Sequence, residues 1–281
     1  MGTMPFLTTG MIIDGKKIAL SIRENLKEDI KNFSRVLTIT HFIGTDDPAV
    51  LSFVRIKQKV GSELRVNIEK VDVTQFNTSR LIQEIKNRKN KTDGIILQFP
   101  LPKEIDVKEA KNAIPISLDI DSISDMAMNN FEKGISNVLP PVAGAIKEII
   151  DEYKIEIKGK KVLVVGAGIL VGMPTKILFN SLGGDVEIAT SEFGDLTPYT
   201  KRANIIVLGA GSPGLLMPEM IKDGAIVFDA GTSEEGGKMI GDADPSCASK
   251  CSFFTPVPGG IGPITVAILF KNLLTLVKAR Q

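Results

Sequence analysis

Histidine and cysteine are scarce in this chain, and their scarcity limits the metal and redox chemistry of its side chains. The sequence holds one histidine, His41, and two cysteines, Cys247 and Cys251. No further cysteine or histidine accompanies the pair to complete a metal site. We therefore predict no bound metal and two ordinary reduced thiols. His41 lies inside a strand-like run, and we interpret it as structural rather than catalytic.

The chain also lacks an excess of charge of either sign. Its 34 Lys and Arg residues against 33 Asp and Glu leave a net charge of +1, which argues against a nucleic-acid partner. No run approaches the roughly 18 consecutive apolar residues of a membrane span, and the N-terminus has no signal-peptide pattern. We expect a cytoplasmic protein that binds neither nucleic acid nor membranes.

Strand-like and helix-like segments alternate along all 281 residues, which is typical of α/β architecture with parallel sheets. The predicted strands cover residues 36–43, 67–73, 94–98, 162–165, 185–189, 204–208 and 225–228. The predicted helices follow Asp14, cover residues 48–63, 79–89 and 143–153, and begin again at Thr265. A polar, proline-containing stretch between Ile114 and Ala145 separates the two series. We predict an N-terminal three-layer α/β domain at 1–141, completed by a helix at 264–281, and a Rossmann-type parallel-sheet domain at 142–263.

A glycine-rich turn after the strand at 162–165 is the best local signal for a cofactor. It contains Gly166, Ala167, Gly168 and Gly172, in a GxGxxxG spacing one residue longer than the common dinucleotide fingerprint. Such glycines permit a tight turn and bring the amides of a helix start close to a pyrophosphate. The spacing alone is a weak signal, but the strand, turn and helix around it favour a dinucleotide site.

Further loops follow the next strands at the same predicted sheet edge, where α/β sheets bind ligands. These loops contribute the candidate cofactor residues Ala210, Gly211, Pro213, Ala230, Gly231 and Thr232. The second strand of this series leads into Ser191 and Glu192, where NAD sites usually carry an acidic residue. Ser191 could contact the 2′-phosphate of NADP, whereas Glu192 would repel it, so both NADP and NAD stay open.

The segment Thr255–Thr265 has three prolines and three glycines in eleven residues. Proline removes an amide donor and glycine permits close backbone approaches, so we predict a rigid loop with few side chains. The apolar pattern that follows predicts a terminal helix. A ligand on this loop would lie near the start of that helix.

These motifs together resemble the methylenetetrahydrofolate dehydrogenase and methenyltetrahydrofolate cyclohydrolase family over nearly the whole chain. The most specific matches are residues 94–102 and 255–265, supported by Asp119, Asp121 and the pair Gly241 and Asp242. The resemblance implies oxidation of 5,10-methylenetetrahydrofolate with NAD(P)+, then hydrolysis to 10-formyltetrahydrofolate. It also implies one-carbon metabolism serving purine biosynthesis, tetrahydrofolate derivatives as ligands, and a homodimer formed through the Rossmann domain.

The resemblance also assigns roles to single residues. Lys57 matches the lysine tied to hydrolysis, Gln98 the residue that orients it, and Asp121 the carboxylate that binds the pterin. By composition alone, Lys57 would be an ordinary solvated side chain. The implied substrate surface consists of Phe53, Leu97, Leu101, Asp121, Pro258 and Gly259. Thr265 joins the implied cofactor residues.

Several polar groups of the family pattern are missing. Phe53 replaces a tyrosine, Val50 a serine, and Ala167 an arginine that many NADP-dependent members carry. A dehydrogenase with weak or no cyclohydrolase activity is therefore an alternative. A folate- or nucleotide-binding protein without turnover, or another oxidoreductase on the same scaffold, are the others.

Overall fold

A computed structural model describes residues 10–281 of the chain. The chain divides into two compact units. The first unit comprises Lys17–Ala145 and Ile264–Gln281. The second unit comprises Ile146–Pro263 together with the described residues up to Lys16.

The described residues form strands, α-helices and short 3-10 helices. The strands are β1 (Met11–Ile12), β2 (Leu37–Ile43), β3 (Val66–Asp72), β4 (Gly94–Gln98), β5 (Lys161–Val165), β6 (Asp185–Ala189), β7 (Ile205–Leu208), β8 (Ala225–Asp229), β9 (Ser233–Glu235), β10 (Lys238–Ile240) and β11 (Cys251–Phe254). The α-helices are α1 (Gly15–Lys31), α2 (Pro48–Glu63), α3 (Thr78–Arg88), α4 (Val107–Asn112), α5 (Asp125–Glu132), α6 (Pro141–Tyr153), α7 (Gly172–Ser181), α8 (Thr197–Thr200) and α9 (Ile261–Lys278). The 3-10 helices are Ile116–Leu118, Ser191–Phe193, Pro218–Met220 and Pro245–Ser249.

A three-stranded parallel sheet in the order β3, β2, β4 forms the middle layer of the first unit. Successive side chains of a strand point to opposite faces, so the sheet supports two cores. Leu37 and Ile39 pack with α1, α2 and α9 on one face, while Phe42 packs with α3 and α4 on the other. A strand covered on both faces reads as a continuous apolar run, as β4 does from Ile95 to Leu97, whereas the edge strand β3 exposes polar residues such as Glu69. The predicted three-layer α/β fold is confirmed.

The elements of this unit lie close to their predicted positions. Helix α2 and strand β4 have the predicted bounds, and β2 and β3 differ from theirs by one residue. Helix α3 begins one residue earlier than predicted, at Thr78. Its N-cap is Asn77, whose side chain accepts a hydrogen bond from the Arg80 amide at 2.9 Å.

The terminal helix α9 begins at Ile261, four residues before the predicted start at Thr265. Pro263 fits the first turn because amides there lack a partner within the helix. By length and mean hydropathy α9 could cross a membrane, although Lys271 and Asn272 interrupt its apolar run. Core helices of soluble proteins have the same composition, and 61% of α9 is buried within the protein.

The second unit contains a six-stranded parallel sheet in the order β1, β11, β8, β7, β5, β6. After β1 at one edge, the chain next enters this sheet at β5, adds β6 on one side of β5 and then continues with β7 on the other side. Ligands of such sheets bind at the carboxyl ends of the strands on either side of this reversal. The predicted strands at 162–165, 185–189, 204–208 and 225–228 correspond to β5, β6, β7 and β8, whereas β11 and the antiparallel pair β9 and β10 were not predicted.

The boundaries of the units differ from the predicted domain boundaries. We predicted that residues 1–141 belong to the N-terminal domain, of which 1–9 lie outside the described residues. Strand β1 instead pairs with β11 in the sheet of the second unit, and the Ile13 amide donates to the Phe254 carbonyl at 2.9 Å. A two-residue strand at a sheet edge is recognised only by its hydrogen bonds to the neighbouring strand. Its sequence is too short to show an alternating pattern that would predict it. The later division falls within α6, between Ala145 and Ile146 rather than at 141.

Candidate functional site

Lys57, Gln98 and His41 meet at one face of the first unit's sheet. The Lys57 Nζ atom donates a hydrogen bond to the Gln98 Oε1 atom at 3.0 Å. The His41 Nε2 atom lies 3.1 Å from the same oxygen. The Gln98 Nε2 atom donates to the Phe99 carbonyl at 3.2 Å, so the Gln98 amide is held at both ends. One amide oxygen thus connects a lysine and a buried histidine.

The sheet register explains why these side chains converge. In parallel register Ile43 of β2 pairs with Gln98 of β4, and His41 lies two residues before Ile43. Residues two apart on a strand share a face, so His41 and Gln98 lie diagonally across neighbouring strands on one side. Helix α2 covers this side through Val60, and Lys57 is one turn before Val60 on the same helix face.

Asp121 is held near this group by backbone contacts on both sides of it. The Asn272 Nδ2 atom on α9 donates to the Ile120 carbonyl at 2.8 Å and to the Leu139 carbonyl at 2.7 Å. The buried Asp119 carboxylate accepts the amides of Ile123 at 3.1 Å and Ser124 at 2.9 Å. Because its neighbours are fixed on both sides, Asp121 needs little reorganisation to hold a ligand.

Burial and charge shift the protonation of these groups. Burial lowers the pKa of Lys57, opposed in part by the negative charge of Asp121. Burial raises the pKa of Asp121 to about 6, and Lys57 and Asp119 act on it in opposite directions. Burial, aided by the charge of Lys57, lowers the pKa of His41 to about 3. The site therefore combines a lysine whose neutral form is favoured by burial with a carboxyl group whose pKa is raised to about 6.

The other predicted substrate residues of the first unit divide into two groups. Phe53 is half-buried and precedes Lys57 by one helical turn, on the same face of α2. Leu101 is half-buried after β4. The prediction for Leu97 needs correction, because its side chain is 2% exposed and packs in the opposite core with Phe42. Its odd position in β4 turns it away from the face that carries Gln98.

In the second unit, the glycine turn joins β5 to the start of α7 as predicted. A Cβ atom on Gly172 would lie 2.0 Å from the Gly166 carbonyl oxygen, so only glycine lets the helix begin this close to the turn. Ala167 and Gly168 are exposed, and nothing lies within 4 Å of the Cβ position of Gly168. The outer side of this turn therefore has room for a ligand.

The loop after β7 is built differently, because a buried carboxylate already occupies its amides. The Asp242 carboxylate accepts hydrogen bonds from Ala210 at 2.8 Å, Gly211 at 3.1 Å and Ser212 at 2.7 Å. We predicted Ala210 and Gly211 as cofactor residues. Their amides already donate to Asp242 and are not free donors for a ligand. The loop can therefore contribute to a ligand site through its shape.

A second aspartate supports Asp242. Asp229, at the end of β8, accepts the amides of Gly231, Asp242 and Ala243 at 3.0, 3.2 and 2.9 Å. Burial and the charge of Asp242 raise the pKa of Asp229 to about 6, against these amide bonds. The two carboxylates thus tie the loops after β7 and β8 to the chain around residue 242.

The remaining predicted residues occupy their expected elements. Ala230, Gly231 and Thr232 directly follow β8, and Pro213 lies in the loop after β7. Ser191 and Glu192 are exposed in the 3-10 helix after β6. Pro258 and Gly259 lie in a turn of the second unit before α9, whereas Thr265 lies within α9 in the first unit. Cys247 and Cys251 are buried free thiols, and burial raises their pKa values to about 11 and about 12.

Comparison with known proteins finds two family descriptions that match successive parts of the chain. The family description "Tetrahydrofolate dehydrogenase/cyclohydrolase, catalytic domain" matches residues 13–121, and the corresponding "NAD(P)-binding domain" matches residues 140–281. The fold and site thus define a two-domain α/β protein with a catalytic and an NAD(P)-binding domain. The chain belongs to the tetrahydrofolate dehydrogenase/cyclohydrolase family, which confirms the resemblance seen in the sequence.

Individual relatives match along nearly their whole length. The bifunctional protein FolD of Nautilia profundicola is 36% identical over 276 residues, covering 95% of this chain and 97% of the relative. The crystal structure of the bifunctional enzyme FolD from Campylobacter jejuni has a TM-score of 0.90 and 29% identity, covering 96% of this chain and 99% of that one. The Trypanosoma brucei FolD, complexed with NADP cofactor and inhibitor, has a TM-score of 0.90 and 28% identity, with coverage of 96% and 98%.

The contacts of three kinds of residue in these sites escaped the sequence reasoning. His41 contacts Gln98 although it looked like a core residue, Asn272 holds the chain beside Asp121, and Asp242 with Asp229 shapes two loops. A polar residue inside an otherwise apolar strand or helix was the available signal for His41 and Asn272, because a buried polar group needs a partner.

Proposed function

We propose that this protein oxidises 5,10-methylenetetrahydrofolate to 5,10-methenyltetrahydrofolate with NAD(P)+ and then hydrolyses the product to 10-formyltetrahydrofolate. The observation that carries this proposal is the hydrogen bond from Lys57 to Gln98 at 3.0 Å beside Asp121, with burial lowering the pKa of the lysine. Family membership supplies the reaction, and this arrangement supplies the groups that the hydrolysis needs.

Hydrolysis requires a group that can both take and return a proton. A water oxygen bonds to the methenyl carbon and the bond from that carbon to N5 breaks. The water loses both protons as the formyl C=O forms, and one of them ends on N5 while the other is released to solvent. Neutral Lys57 is suited to take a proton from water at Nζ, and burial favours this neutral form because it lowers the pKa of the lysine. Gln98 fixes the position of Nζ through its Oε1 atom.

Asp121 is suited to bind the pterin of the substrate. An ionised carboxylate accepts two donors from an aminopyrimidine edge in a bidentate geometry. Its backbone neighbours are held by Asn272 and Asp119, which keeps the carboxylate oriented. Phe53, one turn before Lys57, offers an aromatic face but no hydroxyl.

The turn after β5 fits a dinucleotide cofactor. Its exposed residues Ala167 and Gly168 leave open space at the start of a ten-residue helix, and Gly166 to Gly172 would hold the pyrophosphate there. When bound, NAD(P)+ supplies the acceptor for the hydride that leaves the methylene carbon. Ser191, Glu192 and the loop from Ala230 to Thr232 would hold the remaining parts, and Thr265 stays a prediction.

Two further properties belong to this proposal. The protein acts in the cytoplasm, where its product serves one-carbon metabolism and purine biosynthesis. It forms a homodimer through the second unit, supported by the edge position of β6. This strand has a neighbour on one side only within its sheet, and its residues Val186 and Ile188 are half-exposed.

Substitution of Lys57 by methionine tests the hydrolytic step. Lys57→Met keeps the length and apolar stem of the side chain but removes the proton-handling group, and we expect hydrolysis to fall by about 10²- to 10⁴-fold. The assay follows reduced cofactor and methenyltetrahydrofolate absorbance together. The matched control is Lys59→Met on the same helix, because Lys59 is exposed and points to another face.

The same assay separates the alternatives. Lys57→Met with unchanged hydrolysis would remove Lys57 from the mechanism. Methenyl product that accumulates in the native protein would indicate a dehydrogenase with weak cyclohydrolase activity, which the missing hydroxyl at Phe53 favours. Absence of reduced cofactor with both NAD and NADP would indicate a binding protein without turnover.

A further inference from the structure

His41 is a polar residue in the middle of an apolar strand, and it is fully buried at 0% exposure. Burial lowers its pKa to about 3, and the charges of Lys57 on α2 and Lys70 on β3 act in the same direction. The neighbouring strand β4 presents the uncharged Gln98 to it. The imidazole is therefore neutral at physiological pH, with one nitrogen protonated and the other bare.

The hydrogen bonds determine which nitrogen carries the proton. The Gln98 Oε1 atom can only accept, and it already accepts from the Lys57 Nζ atom. His41 therefore donates to it through Nε2 at 3.1 Å. A reversed amide would place its NH2 group against Lys57 and lose the bond to the Phe99 carbonyl. The consistent assignment is the Nε2-protonated tautomer with the Gln98 oxygen toward the lysine.

This tautomer leaves the other ring nitrogen without a partner. Among the residues that the structure describes, the buried His41 Nδ1 atom has no hydrogen-bond partner. A buried acceptor without a partner destabilises a fold, and an apolar side chain of similar size would avoid this cost. In the described hydrogen bonds, the His41 imidazole has Gln98 as its only partner. The one polar contact of His41 is therefore with the side chain that also accepts a hydrogen bond from Lys57.

We propose that His41 is a positioning residue for hydrolysis: its Nε2 proton locks the Gln98 amide with the oxygen toward Lys57 and thereby fixes the lysine. This inference rests on the proposed function, since the step it supports is the proton transfer at Lys57. His41 does not touch the substrate in this role. His41 prevents rotation of the Gln98 amide, which would otherwise turn its NH2 group toward Lys57 and displace the Nζ atom.

Three variants separate positioning from packing. His41→Leu removes the donor and the unpartnered nitrogen, and we expect its thermal midpoint to stay equal or rise while kcat for hydrolysis falls about tenfold with KM nearly unchanged. His41→Gln can place an amide donor near the position of Nε2 and should recover most of the activity. His41→Asn places its amide nearer the position of Nδ1 and should not.

The kinetic outcomes are decisive in both directions. Native kcat in His41→Leu would overturn the proposal. So would a loss of kcat that follows a fall in thermal midpoint across the three variants, because that pattern describes a packing role. Recovery in His41→Gln but not in His41→Asn, at equal stability, supports the proposal.

A second measurement keeps the inference separate from the proposed function. His41 is the single histidine of the chain, so selective ¹⁵N-histidine labelling reports one imidazole. We expect a protonated Nε2 and a bare Nδ1 between about pH 5 and 9, since the pKa is about 3. We also expect the Gln98 side-chain amide signal to shift or broaden in His41→Leu. A protonated Nδ1 or an unchanged Gln98 signal would overturn the positioning role, whereas a native protein that fails to hydrolyse methenyltetrahydrofolate would refute only the proposed function.

Discussion

Replacement of Asp242 by asparagine should destabilise the second unit and weaken nucleotide binding. The Asp242 carboxylate is fully buried and accepts three amides, from Ala210 at 2.8 Å, Gly211 at 3.1 Å and Ser212 at 2.7 Å. Asparagine has one oxygen, which can serve Ala210 and Gly211 together. Its NH2 group then faces the Ser212 amide, so two hydrogen-bond donors are in contact in the protein interior and neither has an acceptor.

The size of the effect follows from these contacts. A hydrogen bond to a charged acceptor contributes about 1.5–3 kcal/mol, and a buried donor without a partner costs about 1–3 kcal/mol. Burial and the charge of Asp242 raise the pKa of Asp229 to about 6. Loss of the charge at residue 242 removes its repulsion of the Asp229 carboxylate and so offsets part of the cost. We therefore expect a net loss of about 3 kcal/mol, which corresponds to a fall in Tm of roughly 6–12 °C.

Thermal unfolding by circular dichroism and calorimetric titration with NAD and NADP measure the two effects. The matched control is Asp244→Asn, because Asp244 caps the 3-10 helix Pro245–Ser249 through the Ser246 amide at 2.8 Å, and asparagine caps about as well. An Asp242→Asn protein with native Tm and native nucleotide affinity would refute the argument that this carboxylate builds the loop.

Two further predictions concern the first unit. Asp93 accepts two hydrogen bonds from Arg35, both at 2.6 Å, and one from the Thr38 amide at 2.9 Å. Asp93→Asn should therefore lower the free energy of unfolding, measured by urea titration, by about 2 kcal/mol. The control Glu28→Gln, which removes the surface ion pair with Lys31, should lower it by under about 0.5 kcal/mol. Burial acts to raise the pKa of Asp93, but the bonds from Arg35 and Thr38 outweigh it and hold this pKa below its usual value. The stability is therefore present above about pH 4 and is lost as pH falls through the lower folded value. Equal unfolding free energies of the two variants in urea would contradict the prediction. Burial raises the pKa of Asp121 to about 6. Affinity for tetrahydrofolate, measured by anaerobic calorimetry, should therefore fall as the pH is lowered through about 6 and the carboxylate is protonated. Asp121→Asn should bind weakly with a flat pH profile, and an unchanged native profile would remove Asp121 from pterin binding.

The fold was predictable where one element carries its own signal. Pro48 at a helix start and the apolar run at 94–98 locate α2 and β4 without reference to the rest of the chain. Strands β1 and β11 were missed because a short strand is recognised by its neighbour in the sheet, and these two pair across more than two hundred residues of sequence. Leu97 was misplaced because its motif suggests a ligand contact, while the face it points to depends on strand register.

The candidate site was predictable in its residue types but not in its connections. Lys57, Gln98 and Asp121 stand in motifs of the family and could be named from the sequence. Their protonation could not be predicted, because burial lowers the pKa of Lys57 and burial depends on which elements pack around the side chain. The loop after β7 shows the same limit: its glycines suggested free amides for a ligand, and only the fold revealed that Asp242 uses them.

By itself, the sequence determined the α/β class, the order of most strands and helices, the family and the candidate site residues. These properties depend on periodicity and on motifs within about a dozen neighbouring residues. The tertiary structure decided which side chains meet: His41 with Gln98 across 57 residues, Asp242 with Ala210 across 32, and Asn272 with Ile120 across 152. Buried polar groups take partners from whatever element packs against them, and that choice depends on how the strands and helices pack in three dimensions.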